Sequence, residues 1–370
     1  MPFRTYMEWA LHDPEHGAYG AGRLSIGPSG DFATAPSLGP DFAALLLIQL
    51  IEWLELLAAA APGRISLVES GPGEGTLALE LARGLVSARP DLAGRTELVL
   101  VEPNPGMAAR QRRLLQECPL PCRWTSFADL AAAPVRGVLL AHEVLDALAV
   151  ERIVWNGALW SRQRVVLEVA GASIRLETGE PLKTALQPQL QALGLLPPSP
   201  LRPAGWSTEL HPALEPWLAE AAAALEAGVL LVIDYALEAW RYYAPQRSGG
   251  TLMAYRGQVA GADPLLDPGE LDLTAHLCID ALQAAAAGAG WSEFGQCRQG
   301  QALLALGLAQ RLHSLQQGDP ADLPMLLQRR EALLRLVDPH ALGDFRWLAF
   351  RRGPALPAPL FVQEPPSPNG

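Results

Sequence analysis

Two kinds of apolar pattern alternate along the first 150 residues of this 370-residue chain. Residues 42–61, FAALLLIQLIEWLELLAAAA, are apolar almost throughout, Gln49, Glu52 and Glu55 interrupt them at helical spacing, and Pro62-Gly63 ends the run. This predicts a largely buried helix. RISLVES then reads as a buried strand, and a glycine turn opens a helix over 76–88. ELVLVEP (97–103), MAARQRRLLQE and RGVLLAHEV (136–144) continue as strand, amphipathic helix and strand. Short, continuously apolar strands separated by helices predict an α/β chain with a parallel sheet covered on both faces.

The pattern changes after residue 150. IVWNGALW (153–160) carries Asn-Gly between apolar runs, a hairpin signal, and VVLEVA and SIRLET continue with strand-like alternation. PPSPLRPAG (197–205) reads as a loop, a helix is expected over 212–226, and GVLLVIDYA (228–236) returns to the buried-strand pattern. Residues 151–211 therefore read as a β-rich insertion. Helices are expected at 274–288, 301–316 and 321–337, and FRWLAF (345–350) as a late strand. The first forty residues are rich in glycine and aromatics and weak in periodicity, so they read as an ordered lead-in. The expected organisation is 1–61 as lead-in and helix, 62–150 as the first part of the core, 151–211 as the insertion, 212–350 as the rest of the core with added helices, and a proline-rich, disordered 351–370.

Composition narrows the classes. A net charge of −11 argues against general affinity for nucleic acid or an anionic membrane surface. The N-terminus has no apolar signal core and the 42–61 run is interrupted by polar residues, so stable membrane insertion is not expected and a cytoplasmic location is. Cys118, Cys122, Cys278 and Cys297 suggest free thiols in a reducing compartment, and no cysteine or histidine set has zinc spacing. His12 and His16 are four apart, but Pro14 between them opposes a helical metal pair, and no metal is expected.

LVESGPGEGTL (67–77) raises the chemistry. A phosphate-binding loop would end in Gly-Lys-Ser/Thr, whereas Thr76 and Leu77 follow Gly75 and no lysine is near. A dinucleotide loop stays open but mismatched, since its third glycine would stand where Thr76 does. What remains is an acidic residue, Glu69, before Gly71, Gly73 and Gly75, a pattern that resembles the first motif of class I S-adenosylmethionine-dependent methyltransferases. The glycines let backbone approach an uncharged thioether chain and a ribose, and Glu69 suits an ammonium. Glu102, ending the next strand, is placed to accept from ribose hydroxyls.

Longer segments strengthen the likeness. YMEWALHDPEHGAYG, GDFATAP (30–36), VEPNP (101–105), AHEVLDALAV (141–150), IDYA, GTLMAYRG and DLTAH (272–276) stand in the order found in the MidA-type methyltransferases, and the resemblance covers about residues 3–350. That family includes a mitochondrial complex I assembly factor that methylates an arginine of a complex I subunit. The resemblance implies a class I methyltransferase, Rossmann-like doubly wound sheet, S-adenosylmethionine as cofactor and a protein arginine as acceptor. The partner would be a respiratory or NDH-type complex subunit. It implies that Gly71, Gly73, Gly75 and Glu102 hold the cofactor and that GDFATAP, with Asp31 and Thr34, folds over it, as part of a 1–61 segment covering the site. Five positions depart from the family: His142 for asparagine, Ala149 for proline, Ser37 for glutamate, Ala236 for glycine and Gln258 for histidine.

On the acceptor side, Glu143 and Asp146 follow the third core strand, where carboxylates could orient a guanidinium or serve a helix start. His142 is a candidate base or hydrogen-bonding group. Asp234 ends another core strand near the expected site, and Thr274 is expected to cap a helix. The acceptor-side departures keep two other readings open: a methyltransferase fold retained as an inactive assembly platform, and a small-molecule methyltransferase. The 151–211 insertion is a candidate surface for a partner or for a homodimer.

Overall fold

The computed structural model describes residues 1–27, 30–31, 33–168, 173–257, 259–261, 263–317 and 319–364. Phe32 of GDFATAP, the end of VVLEVA at 169–170, Gln258 and the last residues, 365–370, lie outside the described residues. In chain order the main elements are α1 (Phe3–His12), α2 (Pro40–Ala60), β1 (Ile65–Ser70), α3 (Thr76–Ala88), β2 (Thr96–Val101), α4 (Pro105–Leu114), β3 (Cys122–Thr125), α5 (Phe127–Ala132) and β4 (Val135–His142). Four strands follow: β5 (Glu151–Trp155), β6 (Trp160–Glu168), β7 (Ser173–Pro181) and β8 (Ser207–Leu210). Then come α6 (Leu214–Ala224), β9 (Leu225–Asp234), β10 (Met253–Arg256), β11 (Asp272–Thr274), α7 (Ile279–Gly288), β12 (Ser292–Arg298), α8 (Gln299–Ala305), α9 (Leu308–Gln316), α10 (Leu323–Val337) and β13 (Arg346–Arg352).

The apolar strands assemble in the order β12-β13-β9-β4-β1-β2-β3. β3, β2, β1, β4 and β9 run parallel, and β13 is antiparallel to both its neighbours. Strand pleating explains why these runs are apolar without interruption. Leu67, Leu98, Val138, Leu231 and Trp347 face α2, α3, α8 and α10, while Val68, Val99, Leu139, Leu230 and Leu348 face α5, α6 and α7. Chain order reverses between β1 and β4, so the loops leaving those two strands diverge and open a crevice at their carboxyl ends.

The insertion supplies a separate antiparallel sheet in the order β7-β6-β5-β8. Its hairpin turn is held where the Asn156 side chain accepts the backbone N–H groups of Ala158 and Leu159, each at 2.9 Å. It packs around Trp155, Trp160, Trp206, Tyr242 and Tyr243.

Several expectations need correction. The lead-in contains a helix, α1, with Phe3, Tyr6, Met7, Ala10 and Leu11 buried along one face against Ala149, Val165, Leu271 and Leu273. The helix expected over 301–316 is two helices, because Gly307 takes a left-handed conformation at φ 94° between them. The helix expected from 274 begins at Ile279, so Thr274 does not cap it and instead pairs with Met253 across β10 and β11. α2 has the length and mean hydropathy of a membrane span, but 56% of its most apolar window is buried inside the fold.

The tail is the fourth correction. Disorder over 351–370 does not hold for the described part: β13 reaches Arg352, and Leu360–Val362 form a helical turn. Phe361 is 1% exposed and meets Trp53 and Trp347 edge-on at 6.1 and 5.5 Å. Its N–H donates to Gln49 Oε1 at 3.1 Å, which gives the polar interruption of α2 a partner. Asp41, at the start of α2 and 3% exposed, is held by Arg329 at 2.6 and 2.9 Å and by Arg311. Phe361→Ala should destabilise the protein by about 3–5 kcal/mol, as other buried aromatic truncations do. Calorimetry checks it; an unchanged unfolding midpoint would mean the tail contributes nothing to the core.

Candidate cofactor and acceptor site

The crevice between β1 and β4 is a cavity of about 630 Å³. β1 ends at Ser70, and the chain turns through Gly71, Gly73 and Gly75 at φ 60°, 55° and 89° before α3 begins. The turn is fastened by Gly71 N–H to Val101 O at 2.9 Å and Gly75 N–H to Pro72 O at 2.7 Å. Left-handed backbone explains the glycines, since a Cβ there is strained. Crowding adds to it: a Cβ on Gly71 would lie 2.9 Å from Val144 Cγ2, and one on Gly73 would lie 3.1 Å from Ile26 Cδ1. Gly71 and Gly73 line the cavity, while Gly75 backs onto Leu115 and Gln111.

Glu102 stands one residue past β2. Its Oε1 accepts from Asn104 N and Nδ2 at 2.8 and 3.0 Å, and its Oε2 accepts from Gln111 Nε2 at 2.9 Å. Burial raises its pKa against the lowering effect of those donors. Gln111 Nε2 also donates to Gly73 O at 2.8 Å, and Gln111 Oε1 accepts from Trp124 Nε1 at 3.1 Å. One buried amide therefore joins the glycine turn, the carboxylate and β3. Beyond Glu102 the wall is Ser126, Phe127 and Trp217, whose rings meet edge-on at 5.5 Å.

These residues suit a nucleoside with a charged amino-acid tail. An apolar aromatic end fits a purine, Glu102 fits a ribose diol, and Glu69 fits an ammonium. Glu69 is 4% exposed, its Oε2 has no hydrogen-bond partner among the described residues, and burial pushes its pKa up to about 8. A buried carboxylate oxygen without a donor wants one from a ligand. With S-adenosylmethionine bound, the sulfonium would supply the activated methyl; these residues bind and orient it.

The other end of the cavity is acidic. Glu143 follows β4 in a left-handed conformation, φ 53°, which is strained for a residue with a side chain. Its side chain is 9% exposed, lines the cavity and accepts from Ala35 N at 3.4 Å. Asp146, 6% exposed, lies behind it in the turn Leu145–Ala147 and does not line the cavity. Asp234 caps that turn, its Oδ2 accepting from Leu145 N at 3.1 Å and Asp146 N at 3.2 Å. Asp272 accepts from the Tyr19 hydroxyl at 2.9 Å. Burial and mutual repulsion raise Glu143 and Asp146 well above the usual carboxylate range. Asp234 rises to about 8, from burial first and Glu143 second, and Asp272 to about 7, chiefly from burial. His142 lines the same wall, and burial lowers it to about 3.

Thr34 lines the cavity in a turn whose box is completed by Ser37, with Thr34 N–H donating to Ser37 Oγ at 3.0 Å. Asp31 does not line it: its carboxylate accepts from Ser25 N at 3.0 Å and Gly257 N at 3.4 Å, fastening the lead-in to the 257 turn. The lead-in, not α2, reaches the cavity, through Glu8, His12, Tyr19 and Ile26. Sequence reasoning missed these, together with Asn104, Gln111, Phe127 and Trp217. His12 sits against Tyr19 at 5.9 Å, while His16 is exposed and turns to Asp13. Among the described residues no three His, Cys, Asp or Glu are grouped to hold a metal ion.

Comparison with known proteins gives a consistent picture. A crystal structure of a Burkholderia thailandensis protein, described as a "likely methyl transferase" and bound to S-adenosyl-homocysteine, superposes with TM-score 0.85. It is 29% identical and covers 99% of this chain and 92% of its own. A protein of Drosophila melanogaster named "Protein arginine methyltransferase NDUFAF7 homolog, mitochondrial" is 28% identical over 299 residues, 75% of this chain. The match spans 64% of the Drosophila protein's length. The Danio rerio protein arginine methyltransferase NDUFAF7 is 31% identical over 171 residues, 40% of this chain and 39% of its own. The family model described as "Putative S-adenosyl-L-methionine-dependent methyltransferase" matches residues 45–297. With this doubly wound sheet and glycine turn, the chain belongs to that S-adenosylmethionine-dependent methyltransferase family.

Proposed function

We propose that the protein is a protein arginine N-methyltransferase. The observation that carries this reading is Glu143 on the cavity wall, backed by a cluster of buried carboxyl groups. Glu143, Asp146, Asp234 and Asp272 lie together, and among the described residues none forms an ion pair with an arginine or lysine. A guanidinium entering beside Glu143 supplies the missing cation. A carboxylate paired with it localises positive charge on the non-reacting nitrogens and leaves the third free to attack. The names of the fly and fish relatives support the same acceptor. A respiratory or NDH-type complex subunit as the target rests on the family resemblance alone, as does a cytoplasmic setting on composition. An inactive assembly platform is the rival reading; a folded wild-type chain that binds no cofactor would favour it.

S-adenosylhomocysteine should bind the wild type in calorimetry, and Gly73→Val should weaken binding at least about tenfold, ~1.4 kcal/mol. Equal affinity in a folded variant would place the cofactor elsewhere. Glu143→Gln should retain that binding but lower methylarginine formation by about 10²–10³, the scale of loss when one preorganised electrostatic partner of a transition state is removed. Mass spectrometry of extract proteins treated with labelled donor reads this; labelled proteins free of methylarginine would point to another acceptor.

The raised carboxylates also predict a pH effect. Below about pH 3 these carboxyls are protonated in both the unfolded and the folded state. As pH rises the unfolded chain loses these protons first, while Asp272 holds its proton to about 7 and Glu69 and Asp234 to about 8. Fewer protons on the unfolded state means stability falls with pH across this window. The ligand-free protein should therefore melt lower at pH 8.5 than at pH 5.5 in calorimetry. Addition of S-adenosylmethionine, whose ammonium pairs with Glu69, should narrow the gap.

A further inference from the structure

The reading above leaves His142 without a task. It closes β4, its side chain is only 5% exposed, and it lines the cavity next to Glu143. Its Nε2 has no hydrogen-bond partner among the described residues. A neutral ring that carries its proton on Nδ1 presents a lone pair at Nε2.

The surroundings hold the ring in place and leave the lone pair unused. From α2, Phe42 packs against the imidazole at 5.1 Å and 59° between planes. Glu143 Oε1 is 3.5 Å from Nε2 but does not make a hydrogen bond to it. Were the two an ion pair, each would stabilise the other's charge. Burial instead lowers His142 and raises Glu143, so both shifts run against an ion pair. Glu69, on the neighbouring strand, also lines the cavity. An N–H donor between His142 and Glu143 would engage both.

We propose that His142 is a catalytic residue that receives the proton lost by the acceptor nitrogen. This rests on the reading of a nitrogen acceptor in this cavity. Before transfer, an acceptor N–H donates to the Nε2 lone pair. In the reaction the acceptor nitrogen bonds to the methyl carbon while the carbon–sulfur bond breaks, its electron pair staying on sulfur as a neutral thioether. The acceptor's N–H bond also breaks; its electron pair stays on nitrogen and the proton passes to Nε2, and later to water. Two cations enter, a sulfonium and a guanidinium, and two leave the step, a methylguanidinium and an imidazolium. Glu143, ionised by its pairing with the guanidinium, lies close enough to favour that imidazolium.

The test uses the full chain labelled with ¹⁵N in its histidine rings and saturated with S-adenosylhomocysteine. Through-bond correlation assigns His142 among the seven histidines of the chain. The probe is N-acetyl-L-arginine N-methylamide. The Nε2 resonance should be of the unprotonated type alone and move toward the protonated type when the probe binds. His142→Asn can accept a hydrogen bond but cannot take a proton. It should bind the probe with similar affinity in calorimetry and methylate it at least tenfold more slowly in single turnover. Probe binding that leaves the His142 resonance unmoved, or an Asn variant as fast as wild type, would overturn this role and leave the acceptor reading standing. Failure of the probe to bind the wild type would overturn both.

Discussion

Carboxylates buried at the end of a parallel sheet set the terms for this protein. Removing an ionised carboxylate from water is costly unless partners replace the water, and groups that lack them keep their protons instead. β1 and β4 end side by side and their loops part there, so Glu69 and Glu143 face one crevice. Backbone can supply N–H donors to such groups, as Leu145 and Asp146 do for Asp234. It cannot supply a cation. The crevice is thus shaped for ligands that carry positive charge, and the family's cofactor, a sulfonium with an ammonium, carries it twice.

Much of this was legible in the chain because the signals were local. The apolar runs around Val68, Val99 and Leu139 announced buried strands, and Glu69, Gly71 and Gly73 announced a turn that must admit a ligand. Glu102 was legible as the carboxylate after the next strand. The rest of the site depends on contacts between distant segments. Gln111 looks like one polar residue of an amphipathic helix, yet it joins Gly73 to Glu102 and is itself held by Trp124. Asp272 meets Tyr19 across 253 residues of sequence. Neither pairing leaves a periodic trace.

Two misses had signals that were present but diluted. Phe3, Tyr6, Met7, Ala10 and Leu11 have a helix's spacing, but the ten-residue element is followed by a glycine-rich stretch without period. The tail's proline content masks the one residue that matters, Phe361, whose place is made by Trp53 and Trp347 from elements far away. Asp31 errs the other way. Its motif suggested the site, whereas its oxygens satisfy the backbone N–H groups of Ser25 and Gly257. Short loop motifs mix residues that touch ligand with residues that hold the loop, and only coordinates separate them.

The unpaired acids at and behind the crevice are informative because the same chain pairs other buried acids with arginine. Asp41 is clasped by both Arg311 and Arg329. Glu209, fully buried on β8 of the inserted sheet, accepts from Arg152 at 3.3 Å, from the Tyr242 hydroxyl at 3.1 Å and from Thr251 N at 2.9 Å. Both arrangements lie outside the crevice and need nothing further. Burial without a cation at Glu143, Asp146 and Asp272 is therefore not a general weakness of this sequence in pairing charge. Three separate stretches, the lead-in, the end of β4 and the 272 strand, converge to make it. Such a cluster lowers the stability of the ligand-free protein, and a cation entering beside Glu143 would offset that cost.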